Sequence, residues 1–330
     1  IHISLQYNKL NTFQKNSKIV GYLRQLIVVG VSVVFFSSCS TGIESTPKIK
    51  MSKEEVKMMT KSAEQTLAES LRGTPLSSWE EGKRFLAMSD RTIYIFEPSE
   101  LMSSPAGEDI TGRILTFKGV DSYINPDLKE ECVIIFSDGS NTFRYRTKKP
   151  TSQALKEIES NKIPLLSDLD LIDAWKEQIL GRTMWTKSNL WYDSNGNRQS
   201  GLKYAKVTIA DVLPSTGDFP MNVKITGQNG EEAYIRMNYT SDAHDSRNFA
   251  SDFFLTDPKG KYQHISDENW KLIQMGKIGP GMTKEECKLS IGNPDEVRSG
   301  HNRSQTLDIW QYNDGTYLMF EDGLLTNFRQ

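Results

Sequence analysis

The sequence predicts a mainly β protein with short helices, and three observations predict it. Five Asx-Gly dipeptides, Asp138-Gly139, Asn195-Gly196, Asn229-Gly230, Asp314-Gly315 and Asp322-Gly323, lie between short runs rich in apolar and aromatic residues. That pattern is the strongest short-range hairpin signal. The runs are brief, as in Ile134-Ile135-Phe136 before the first dipeptide and Phe143 and Tyr145 after it, which suits small antiparallel sheets rather than one large doubly wound sheet. Composition allows such a reading: 330 residues, 37% hydrophobic and 25% charged, with 40 Lys+Arg against 42 Asp+Glu, is globular material for two or three domains. It weighs against a disordered, collagen-like or disulfide-framework chain. A net charge of −2 argues against general nucleic-acid binding.

Taken in order, residues 1–38 hold four basic side chains, Lys9, Lys15, Lys18 and Arg24, and no Asp or Glu. An apolar run from Leu26 to Phe36 follows, then Ser37-Ser38-Cys39-Ser40. At about 1.5 Å per residue that run covers about half of a hydrocarbon core, so it reads as a signal-peptide core and not as a spanning helix. Small residues before a cysteine resemble the lipobox of bacterial lipoproteins, with Phe36 where Leu is usual. The resemblance implies cleavage before Cys39, a diacylglyceryl thioether and an acylated amine on that residue, and attachment to a membrane through Cys39. Ser40 in place of Asp points by the same resemblance to the outer membrane, and the absence of an acidic run just after Cys39 to a position facing the periplasm. The mature chain would then carry 36 basic and 42 acidic side chains, a moderately acidic body.

Residues 39–50 form a polar tether, and 51–78 an N-terminal helix. Ser52-Lys53-Glu54-Glu55 reads as its capping box, Val56, Met59, Ala63, Leu67 and Leu71 share one face, and Gly73 and Pro75 stop it. The helix is expected to pack on the next domain. Two β modules follow, 79–150 and 181–264, joined by a helical connector, 151–180. They form a weak repeat with an offset near 90 residues: Gly112-Arg113-Ile114-Leu115, Val120, Val133 and Asp138-Gly139 align with Gly201-Leu202-Lys203-Tyr204, Val212, Val223 and Asn229-Gly230. Ile93-Tyr94-Ile95 and Leu190-Trp191-Tyr192 are read as a further strand of each copy. About five strands in each copy resemble a small SH3-like barrel, so the expected architecture is two SH3-like antiparallel barrels in tandem plus a C-terminal helix-and-sheet module.

The connectors also match. Asp170 to Gly181 carries Trp175, and Asp267 to Gly276 carries Trp270; each Trp stands six residues before a glycine, and each first turn is acidic. Both read as short helices with a left-handed stop that start the module after them, their indoles covering the barrel mouths and not binding ligand.

Residues 265–330 hold the second connector helix and Gly281-Met282-Thr283, Ile291-Gly292-Asn293-Pro294, Trp310-Gln311-Tyr312 and two Asp-Gly turns. Thr283 with Glu286 makes a capping box, and Gly292 with Pro294 ends the helix. This segment resembles the SmpA/OmlA family of small outer-membrane lipoproteins. What carries over residue by residue, Gly281, Met282, Thr283, Gly292, Pro294, Trp310 and Tyr312, is a structural motif and not a catalytic set.

Candidate chemistry is sparse. Cys132 and Cys287 are expected to be separate buried thiols. The four histidines are scattered, and no His-Glu-x-x-His, Cys-x-x-Cys, phosphate loop or Gly-x-Ser-x-Gly occurs. Asp242-Ala243-His244-Asp245 reads as a solvated loop, and Glu130-Glu131 as hairpin surface. No catalytic residue, metal or cofactor is assigned. If the modules bind a ligand, the candidate contacts are Trp185, Trp191, Tyr192 and Tyr204, with strict alternation putting Trp191 and Tyr192 on opposite faces. The expectation is a non-catalytic envelope lipoprotein that binds or supports assembly of an envelope protein or peptidoglycan partner. The alternative is an inhibitor or sensor that captures an envelope enzyme or a cell-wall glycopeptide.

Overall fold

A computed structural model describes residues 61–97, 108–239, 247–302 and 305–330. All belong to one compact unit, Lys57–Gln330. The expected leader, Cys39, the tether, the Ser52 capping box and Asp242–Asp245 lie outside the described residues. The fold is mainly β with short helices: three antiparallel sheets, of five, seven and four strands, each over its own apolar core.

Helix α1 (Ala63–Ser70) begins at Ser62, whose hydroxyl accepts from the Gln65 amide while the Gln65 side chain accepts from the Ser62 amide. The first sheet holds β1 (Arg84–Ala87), β2 (Ile114–Ile124), β3 (Glu130–Ser137), β4 (Thr142–Arg146) and β5 (Leu166–Asp168) in the order β4-β3-β2-β1-β5. Alternation turns Phe85, Leu115, Phe117, Ile134 and Phe136 inward. Phe85 meets Phe136 edge-on at 5.4 Å and Trp79 at 5.1 Å. Helix α2 (Thr151–Glu157) adds Ala154 to the same core. The sheet thus draws β5 and α2 from the segment read as connector.

The second sheet holds β6 (Thr183–Thr186), β7 (Leu190–Tyr192), β8 (Arg198–Ser200), β9 (Lys206–Pro214), β10 (Met221–Gly227), β11 (Glu232–Met237) and β12 (Phe253–Phe254) in the order β12-β6-β9-β10-β11-β7-β8. Its first five positions repeat the first sheet strand for strand: β5-β1-β2-β3-β4 against β12-β6-β9-β10-β11, every pairing antiparallel. The bulges repeat as well. The register slips at Lys118, between Phe117↔Phe136 and Gly119↔Ile135, and again at Ala210, between Ile209↔Ile225 and Asp211↔Lys224.

Neither sheet closes into a barrel. The outer edge of β1, where a closing strand would pair, is taken by β5, and that of β6 by β12. The expected strand Ile93–Ile95 is instead part of a 3-10 turn, Asp90–Ile95, because Ser89 accepts from the Arg91 amide and its own amide donates to Thr92. In the second copy Leu190–Tyr192 is a strand, paired to β11 through Tyr192 and Tyr234. All five Asx-Gly pairs form hairpin turns between consecutive strands, each glycine at positive φ.

The last strand of the first sheet hands over directly to a helix. Asp168 ends β5 and caps α3 (Leu169–Ile179), its Oδ1 accepting from the amides of Asp170 and Leu171 and from Lys83 Nζ. Trp175 of α3 is fully buried in the second core, where the sequence predicts a cover over the mouth of a barrel, and Gly181 at φ 73° stops the helix. After α4 (Phe249–Asp252) and β12 comes α5 (Asp267–Gln274), whose Trp270 enters the third core. Helix α6 (Lys284–Ile291) and β13 (Glu296–Asn302), β14 (Gln305–Gln311), β15 (Tyr317–Glu321) and β16 (Leu324–Arg329) complete a two-helix, four-strand module.

Helix α1 departs from expectation. It precedes the first module but packs on the second: Ala68 is part of that core, Leu67 and Leu71 lie against it, and Glu64 accepts from the Leu255 amide beyond β12 at 2.9 Å. The chain therefore loops out from the second module, builds the first, and returns through β5 and α3.

Candidate ligand-binding site

The four aromatic candidates do not converge. Trp191 is buried, its Nε1 donating to Ser188 O at 3.2 Å and its ring lying flat against Gly201. Tyr192, next along β7, points to the other face, where the Arg236 guanidinium carbon stands 4.6 Å from its ring centre. Trp185 is half-buried on β6 opposite Phe254. Tyr204 joins the second and third modules: its ring lies 5.3 Å from Trp270 and 5.9 Å from Phe254, and its hydroxyl donates to Leu289 O at 3.3 Å. Lys203 beside it donates to Ser290 O at 2.5 Å. Burial raises the Tyr204 phenol and lowers the Lys203 ammonium pKa. Period-2 alternation was enough to separate Trp191 from Tyr192; no local signal marked Tyr204 as an inter-module residue.

A cleft of about 530 Å³ opens between the first two modules, within the range of small-molecule sites. Ser89, Asp90, Arg91, Asn161 and Lys162 line it from the first module and its connector, and Gly217, Asp218 and Asn238 from the second. Contacts from both modules fix its shape. Ser167 Oγ donates to Pro220 O at 3.0 Å and lies 2.6 Å from Tyr239 Oη, and the Gly217 amide donates to Met88 O at 2.7 Å. Burial pushes the Tyr239 phenol far above its ordinary pKa, so it stays a neutral hydrogen-bonding group. These lining residues come from segments up to 151 positions apart (Met88 and Tyr239), which is why sequence reading missed the cleft.

Beneath the docked α1 lies a buried charge cluster. Arg247 Nη2 is 3.3 Å from Asp252 Oδ1, and Lys187 Nζ donates to Ala250 O at 2.5 Å while standing 4.2 Å over the Phe254 ring. Burial raises the Asp252 pKa to about 6 despite Arg247, and lowers that of Lys187 despite Glu64 and Asp252. Glu131 also differs from the hairpin-surface reading: it is buried against Arg146, at 2.8 Å, and Asn125, at 2.7 Å.

In the third module the motif residues hold backbone. Gly281, at φ 81°, donates to Leu325 O; Met282 is fully buried; Thr283 Oγ1 accepts from the Glu286 amide while Glu286 accepts from the Thr283 amide. Gly292, at φ 93°, ends α6, and Tyr312 Oη donates to its carbonyl at 3.0 Å. Pro294 follows, half-buried, and Trp310 packs on Phe320 at 4.7 Å. Cys132 and Cys287 are buried free thiols; burial raises both pKa values, that of Cys287 to about 12 with Glu286 adding to it. Among the described residues no group of three or more His, Cys, Asp or Glu is placed to hold a metal ion, and no helix is long and apolar enough to cross a membrane. No family model, no curated protein and no solved structure matches the chain.

Proposed function

We propose that the chain is a non-catalytic cell-envelope lipoprotein, acylated on Cys39 and held at the outer membrane facing the periplasm, that binds or supports assembly of an envelope partner. The observation that carries the address is the leader: four basic and no acidic residues in 1–38, an eleven-residue apolar run, and small residues ahead of Cys39. The inter-module cleft supports a binding role, because its walls come from two sheets cross-linked by buried hydrogen bonds and its polar lining is pre-formed. On this reading the two repeated sheets are opened SH3-like modules, and the third is an SmpA/OmlA-like module.

Capture of an envelope enzyme or a cell-wall glycopeptide is the second reading. Tyr192, half-buried on the face of the second sheet turned away from its core and beside two arginines, favours it. Pull-down from detergent-solubilised membranes separates the two. A stable protein complex supports the assembly role; retention on purified peptidoglycan, reduced by Asp218→Ala or Tyr192→Ala, supports capture. Turnover of a cell-wall substrate overturns both.

A further inference from the structure

We propose that the face of the second sheet turned away from its core holds a site for the terminal carboxylate of a peptide, anchored by Arg236 and read by Asn222. Arg236 and Asn222 are directly opposed across β11 and β10, a spacing at which side chains interact. Among the described residues Arg236 has no carboxylate partner, and its Nε is buried without a hydrogen-bond acceptor. Asn222 Oδ1 is buried and unpartnered as well. One strand pair thus presents an unused charged donor and an unused acceptor side by side, where buried polar groups are ordinarily satisfied.

The surroundings hold the guanidinium in place without neutralising it. Its plane of approach is set by Tyr192, 4.6 Å away, and by the Asn195-Gly196 turn. Gly196 has φ +85°, and a Cβ there would stand 2.2 Å from Arg236 Nη2, so the turn that a hairpin requires also leaves space for the guanidinium. Arg247 flanks the other side, its guanidinium carbon 5.8 Å from both the Tyr192 and Phe219 rings. Its charge is shared with Asp252, while Arg198, directly opposite Tyr192 on β8, adds a further positive charge to the face.

A ligand matching this arrangement brings a planar anion for the guanidinium fork and, close to it, an N–H for Asn222. A peptide's terminal carboxylate carries both, the amide N–H of its last residue lying on the same carbon. The inference rests on the capture reading and not on the lipid anchor, and it adds what is captured.

Titration of the full chain in detergent with N-acetyl-alanyl-alanine, with its C-terminal amide, and with inorganic phosphate tests it calorimetrically. The acid is expected to bind at least about tenfold more tightly than the amide, the loss of one charge-assisted pair, and more tightly than phosphate. Arg236→Met should remove the preference, and Arg236→Lys, which keeps charge without the fork, should retain part of it. Equal binding of acid and amide by the wild-type chain overturns the proposal whether or not the variants fold, and tighter phosphate binding overturns the peptide assignment. Retention of the chain on peptidoglycan with no acid preference would sink this site while leaving capture itself standing.

Discussion

Replacing Tyr204 discriminates between a ligand contact and a joint between modules. In the structure its ring packs against Trp270 and Phe254, its hydroxyl reaches Leu289 O, and Gln274 Nε2 donates to its carbonyl. Two aromatic contacts at about 0.5–1.5 kcal/mol each and one hydrogen bond near 1 kcal/mol put Tyr204→Ala at about 2–4 kcal/mol of destabilisation. Tyr204→Phe should cost only about 1 kcal/mol, the hydroxyl's share. Tyr204 also sits at φ 54°, a left-handed conformation costing about 1–2 kcal/mol in a non-glycine residue, so Tyr204→Gly should recover part of the alanine loss. Urea unfolding with hydrogen exchange on α5 and α6 measures this: the alanine variant should expose those helices first. A change below about 0.5 kcal/mol, within the range of an unremarkable surface substitution, with unaltered exchange, would refute the joint and restore Tyr204 as a ligand contact.

Gly201→Ala places a Cβ 2.2 Å from Trp191 Cδ2, and the ring is pinned by its bond to Ser188 O, so calorimetry should show a loss of about 1–3 kcal/mol. Asp252 binds its proton more tightly in the folded chain, with a folded pKa of about 6 against 3.8. Its contribution is therefore unfavourable above pH 6 by about 3 kcal/mol and improves as pH falls from 6 toward 4; stability–pH curves for Asp252→Asn should lose that slope, and an unchanged slope assigns it elsewhere. Cys132 and Cys287 should resist a thiol reagent at pH 8 until the chain unfolds; rapid labelling of the native protein would contradict their burial.

How much was legible varied with the range of the interactions. The hairpin turns were readable because an Asx-Gly pair needs only its own positive φ, and the Thr283 and Gly292 helix ends because a cap is made within four residues. Trp175 and Trp270 were assigned to the following module because helix, stop and indole repeat together. What failed depended on distant partners. Nothing around Ile93 shows that the edge of β1 is occupied by Leu166–Asp168, so a closed barrel was expected where an open sheet stands. Nothing around Ala68 shows that its partners lie more than 100 residues downstream. Arg236 was passed over because a lone arginine in a strand looks like any surface charge until its missing partners are seen.

Lipid attachment at Cys39 is the claim on which the envelope address depends. Expression of the chain in a Gram-negative host with an alkyne analogue of palmitate should label the wild type and leave Cys39→Ser unlabelled and released from the membrane fraction. Label persisting on Cys39→Ser would contradict the account.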